Sequence, residues 1–289
     1  MPWAQAALFG KHVNIVGGCP FEELLPPWEA KCRPPIGERQ MVVEREQDGE
    51  GQTELVAARA KLQVWHDVDE HDEYIVLADP GRGINDGRHD PDGLHVRSRR
   101  TRALVARLSE YLGPWGLGAA AVDVATLYRG AQLYVARGGG YGEAVLSAAR
   151  VLGYRNIGPD LDASRIRQVS RLGGAETGES RIKAMNAVLA MLQRNETDMP
   201  SLDVVRCLKN CIVDGNGKIV ARAGYHDEDL ILLGHGERIL DMLAKLSPLR
   251  EPRPASSIDN FKRVMREAFG RDVIGSTRRS PLDDVPNWD

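Results

Sequence analysis

Residues 74 to 79, Tyr-Ile-Val-Leu-Ala-Asp, run apolar without a break into a carboxylate, and Pro80-Gly81 follow at once. So short a continuous apolar run reads as a strand covered on both faces. Pro cannot donate to a ladder and Gly permits a sharp exit, so the strand ends at Asp79. The pattern predicts an α/β protein with Asp79 at the carboxyl end of a central strand, where open α/β sheets place their sites. A charge there is costly without a cation or a hydrogen-bond partner. Asp79 is therefore a metal ligand or a turn cap, and this stretch alone leaves both open.

Around that strand the chain divides into three parts. Residues 1–40, rich in Pro, Gly and Trp, read as a linker-like lead-in holding a short acidic amphipathic segment. Residues 41–247 carry the periodic segments: a first strand near Met41 to Glu46, and an ambiguous stretch from Thr53 to His66. A hairpin follows, from Leu94-His95-Val96 to Ala103–Leu108. A helix from Ala119 leads to a second buried strand at Gln132–Val135 and an Ala-rich helix at Glu143–Leu152. Ile182, Met185, Val188, Leu189 and Leu192 fall at spacings of 3 and 4, one buried helical face. Ser201 to Cys211 reads as a short helix, Lys218–Ala221 as a strand after a turn, and a last helix ends near Leu246. Residues 248–289 are a Pro- and Arg-rich tail with a helix-compatible stretch at 258–269.

Several classes are excluded. No run of about twenty apolar residues spans a membrane, and the first ten residues lack a basic start and a sustained apolar core. Cys19, Cys32, Cys207 and Cys211 do not form paired zinc spacings and point to a reduced, cytoplasmic compartment. With net charge −3, binding to nucleic acid must come from local patches. The Gly138–Gly140 loop lacks dinucleotide spacing, and no Gly-x-x-x-x-Gly-Lys-[Ser/Thr] motif occurs.

Two clusters carry chemistry. His226-Asp227-Glu228-Asp229 opens the last helix. Acids in a first turn suit the helix dipole, but three in succession exceed what capping requires, and a divalent cation would explain the excess. Arg97, Arg99, Arg100 and Arg102 crowd the hairpin. Guanidinium forks can hold phosphates; equally, charge can guard a sheet edge against aggregation.

One acid ends a central strand, and a second acidic cluster opens a late helix, with hairpin, helix and strand between. This order resembles the RNase H-like fold, a central mixed sheet flanked by helices. More narrowly it resembles the nuclease domain of the large terminase subunit of tailed bacteriophages, over about Phe9 to Leu246. The pieces are Cys32-Arg33-Pro34-Pro35, Ala78-Asp79, Tyr128-Arg129-Gly130-Ala131, Thr177 with Lys183, and Gly217-Lys218 followed by His226 to Leu230.

The resemblance implies an endonuclease cutting concatemeric DNA during genome packaging in the bacterial host. It implies two Mg²⁺ or Mn²⁺ ions, held by Asp79, Asp227 and Asp229, with the register across Asp227 to Asp229 open. Lys183 would contact the phosphate, and Arg97, Arg99, Arg100 and Arg102 would bind DNA. Partners implied are double-stranded DNA, a separate packaging ATPase, a small terminase subunit and a portal. Ala136 stands where the family carries a further acid. With no ATPase motif, the chain reads as a separate nuclease half, a fragment or a prophage product. A catalytically weak or inactive DNA- or partner-binding module is the alternative.

Overall fold

The computed structural model describes residues 17–48, 53–81, 83–84, 89–137, 140–159, 178–216 and 218–246. Thr177, Gly217, the 248–289 tail and its 258–269 stretch lie outside them. In chain order the elements are α1 (Pro26–Glu29), β1 (Gly37–Asp48), β2 (Thr53–Val64), β3 (Tyr74–Asp79), β4 (Asp92–Ser98), β5 (Leu104–Glu110) and α2 (Gly113–Leu127). There follow β6 (Gln132–Val135), α3 (Tyr141–Val151), α4 (Gly178–Arg194), α5 (Leu202–Lys209), β7 (Cys211–Val213), β8 (Ile219–Ala221) and α6 (Glu228–Leu246).

Six strands form one sheet in the order β1-β2-β5-β4-β3-β6, and β7-β8 form a separate ribbon. Neighbours are antiparallel except β3 and β6, which run parallel. A parallel bridge from Leu133 to Ile157 extends the far edge. An antiparallel meander, β3-β4-β5, whose first strand is flanked by a parallel crossover strand is the RNase H-like arrangement, and the chain has that fold. Residues 75 to 78 are almost wholly buried, as a strand covered on both faces must be.

The two faces differ. On one, α2 and α3 pack on Val76, Ala78, Leu94, Val96, Leu133 and Val135. On the other, Ile75, Leu77 and Tyr134 meet Leu232, Ile239 and Leu240 of α6. A third cluster joins α4, α5 and α6 to Phe21, Leu25 and Trp28. The segment around α1 is thus part of the folded unit: its apolar residues, at spacings of 4 and 3, are fully covered. Trp28 also donates its indole N–H to the Leu192 carbonyl at 3.3 Å.

Candidate metal and nuclease site

Alternation along β3 carries Ile75, Leu77 and Asp79 to the face covered by α6. Residues paired across antiparallel strands share a face. Asp79 pairs with Gly93, Leu77 with His95, and Ile75 with Arg97. Gly93 in turn pairs with Ser109, and His95 with Arg107. On β6, Tyr134 lies beside Leu77, and Ala136 donates its N–H to the Ala78 carbonyl at 2.9 Å. One step further along that register, Ala136 lies beside Asp79. The sheet therefore presents two polar rows to α6: Ala136-Asp79-Gly93-Ser109 at its end, and Leu77-His95-Arg107 behind it.

The first turn of α6 meets both rows. Gly93 is the seat of Glu228: a Cβ added there would stand 3.3 Å from Glu228 Cγ and 2.7 Å from Leu232 Cδ1. Ser109 Oγ donates to Glu228 Oε1 at 3.3 Å. Oε2 is buried and has no hydrogen-bond partner among the described residues. Burial, then the neighbouring Asp229 charge, push the Glu228 carboxyl up to about 8.

Asp229 belongs to the second row. Arg107 donates to it from Nε and Nη2, both at 2.9 Å. His95 Nε2 lies 2.8 Å from Oδ1. Burial opposes its charge, yet Arg107 and His95 prevail and hold the carboxyl well below the usual range. Burial also keeps His95 neutral, so Nε2–H is the donor to the carboxylate. Asp229, expected to bind a metal, is instead engaged inside the protein: Oδ1 accepts from Arg107 and His95 and Oδ2 from Arg107, which leaves one of its roughly four lone-pair sites open.

Asp227 stands at the rim, half-buried and ion-paired with Arg181 of α4. Burial raises its carboxyl despite that arginine. Nearby, His226 Nδ1 contacts Asp90 Oδ1 at 2.7 Å. Lys183 is exposed on α4, 2.6 Å from Glu179 one turn away; the cation that α4 brings to the acid cluster is Arg181. Beside Ala136 a small apolar cleft opens, lined by Leu77, Tyr134, Ile231, Leu232 and His235.

The arginine cluster lies at the other end of β4, about 20 Å from Gly93 at some 3.4 Å per residue. Arg97 is fully buried. Its Nη2 donates to Glu237 Oε1 and to the Arg102 carbonyl, both at 2.6 Å. It cannot touch DNA, which corrects that expectation. Arg102, at φ 61, turns its carbonyl to Arg97 and its guanidinium to Glu237 and Asp241. Arg99 pairs with Glu73, and Arg100 donates to the His71 carbonyl.

Among the described residues no three His, Cys, Asp or Glu side chains come together as a ready metal centre. No helix among them is long and apolar enough to cross a membrane. The residues missed by sequence reasoning are Arg107 and His95. Their signal was present: two polar residues at inward positions of otherwise apolar strands.

No protein-family model and no curated protein matches the chain. Solved structures that resemble it are large terminase nucleases of thermophilic phage G20c. The form with bound cobalt is 14% identical at a TM-score of 0.49, over 74% of this chain and 95% of that one. The form with bound magnesium is 12% identical at 0.48 over the same shares. The likeness is one of fold.

Proposed function

We propose that the chain is a metal-dependent DNA endonuclease of the phage-terminase type, hydrolysing phosphodiester bonds during genome packaging. One observation carries the proposal: Glu228, with a buried and unpartnered oxygen, is seated on the glycine that pairs with Asp79. Two acids directed to one small region by a strand end and a helix start repel each other until a cation neutralises them.

The donor set fits Mg²⁺ or Mn²⁺. It is oxygen-only, and Mg²⁺ keeps several waters while taking one or two carboxylates plus substrate phosphates. Asp79 and Glu228 would hold the ion, with Asp227 at the rim once released from Arg181. A second ion asks for a carboxylate where Ala136 stands, so it would depend on the DNA phosphate for ligands. Bound divalent ions supply charge neutralisation at the scissile phosphate and an activated water at neutral pH. Glu228 would hold the ion as the carboxylate, with the Ser109 hydroxyl, which donates to Oε1 at 3.3 Å, keeping it in place. Arg99 and Arg100, some six base pairs away along a duplex at 3.4 Å per step, would contact DNA outside the cut. A separate ATPase, a small terminase subunit and a portal would complete the packaging assembly.

Ala136 favours a second reading: a catalytically weak or inactive module that keeps the fold to hold DNA or a packaging partner. Plasmid nicking separates the two. With Mn²⁺ the parent chain is expected to nick supercoiled DNA, EDTA to stop it, and Asp79→Ala to lower the rate at least a hundredfold. Nicking that survives Asp79→Ala rejects the catalyst; DNA binding without nicking supports the inactive module.

A further inference from the structure

The exit from β3 is held by a residue outside the acid row. Asp92 is fully buried. Its Oδ2 accepts the N–H of Leu112 at 2.7 Å and of Gly113 at 2.8 Å, where α2 begins. The Gly81 N–H also favours its charge, although burial raises the carboxyl to about 6. Gly81 lies two residues beyond Asp79. A side chain at Gly81 would strike the Asp90 carbonyl, and a Cβ at Gly83 would stand 2.5 Å from Gly113 Cα. The strand exit thus runs pressed between the backbone before β4 and the backbone before α2; Asp92 is hydrogen-bonded across that junction, and the Tyr111 hydroxyl also donates to the His89 carbonyl at 3.4 Å.

We infer that Asp92 is a positioning residue for Asp79: it clamps the Gly81 exit to the start of α2 and so fixes where the Asp79 carboxylate stands. A buried charge is retained in a fold only when its partners satisfy it. Here the partners of Oδ2 are backbone groups of the start of α2, while the buried Oδ1 has no hydrogen-bond partner among the described residues. A ligand held by few carboxylates depends on each being held still, because supporting interactions commonly set affinity tenfold or more. The inference rests on the cation reading of Asp79.

The test measures Mn²⁺ affinity by electron paramagnetic resonance of the free ion, and amide exchange of the peptide containing Gly81 without metal. The full chain, Asp92→Ala, Asp92→Asn, Asp79→Ala and Leu117→Ala are compared. Leu117→Ala is the control for general destabilisation, being fully buried on α2 one turn beyond the clamp and making no hydrogen bond to Asp92. Asp92→Ala is expected to weaken Mn²⁺ binding at least fivefold and to expose the Gly81 peptide to exchange. Asp92→Asn keeps an oxygen acceptor and should stay within about threefold of the parent; Leu117→Ala should stay within twofold. Affinity and exchange unchanged in Asp92→Ala overturn the inference, as does an equal loss in Leu117→Ala. If Asp79→Ala leaves Mn²⁺ binding intact, the cation reading fails, and the exchange data alone decide whether the clamp exists. Should Asp92→Ala not fold, Asp92→Ser, too short to span both N–H groups, is read by the same criteria.

Discussion

α6 presses charge against the sheet at two places, and the two are treated oppositely. Toward its middle, Glu237 is enclosed by Arg97 at 2.6 Å, Arg102 at 3.0 Å and Arg194 at 3.2 Å. Both Glu237 oxygens are answered within the protein, although Arg97 Nη1 and Arg102 Nε have no hydrogen-bond partner among the described residues, and the result is structural. At its first turn Glu228 faces a glycine, a serine and the end of β3, with Arg107 no nearer than 4.0 Å. The Glu228 carboxyl, raised by burial to about 8, keeps its proton there at neutral pH, and its Oε2 has no hydrogen-bond partner among the described residues. The helix thus separates an acid enclosed by arginines from an acid that, on the proposed reading, would meet an external cation.

The contrast can be broken by mutation. The largest effect is expected at the enclosed end. Glu237→Ala leaves Arg97 buried with only a carbonyl acceptor and should cost about 3–5 kcal/mol in urea unfolding; a loss below about 1 kcal/mol would mean that the arginines are not bound as a unit. At the open end, Gly93→Ala drives a methyl into Leu232 and Glu228. It should cost about 1–3 kcal/mol and abolish Mn²⁺ binding, and retained binding would show that Glu228 is not a ligand.

Glu228→Gln sharpens the comparison through pH. The folded carboxyl titrates near 8 against about 4.3 unfolded, so the native state binds the extra proton between those values, and stability falls as pH rises through that window. The Gln variant should lack this slope and be more stable than the parent by about 1–3 kcal/mol at pH 9, as chemical denaturation across pH would record. Ala136→Glu should change stability least while raising Mn²⁺-dependent nicking severalfold. An inert Ala136→Glu beside an active parent would show that the acid row lies elsewhere.

Continuous apolar runs were the most legible part of the sequence. β3 and β6 begin and end where their residues say, because strands covered on both faces need no partner to be recognised. Less visible was α2, which starts at Gly113 rather than near Ala119. Gly-Pro-Trp-Gly-Leu-Gly has poor intrinsic helix preference, and burial of Leu117, Ala120 and Ala121 overrides it. Cys211 reads as the end of a helix, yet it opens β7, whose pairing with Ala221 across the ribbon is not local. Phe21, Leu25 and Trp28 have helical spacing, but nothing nearby in sequence announces the α4 and α5 residues they pack against.

The candidate site was legible in part. Asp79 and the acids at the start of α6 could be named as candidates, but which of those acids faces the row of Asp79 could not. That choice is made by Arg107 and His95, 122 and 134 residues away, which take Asp229 and leave Glu228 to the front row. Arg97 misleads for a similar reason. Arginine is ordinarily exposed, and its burial here depends on a glutamate 140 residues further on.

The two buried attachments of α6, at Asp229 and Glu237, are eight residues apart, roughly 12 Å along the axis at 1.5 Å per residue. A rod pinned at two points along its length can neither roll nor slide without tearing both fastenings. Glu228 therefore travels only if the whole rod lifts from the sheet, and on the proposed reading a cation would find its ligand at a fixed address instead of recruiting it by local adjustment.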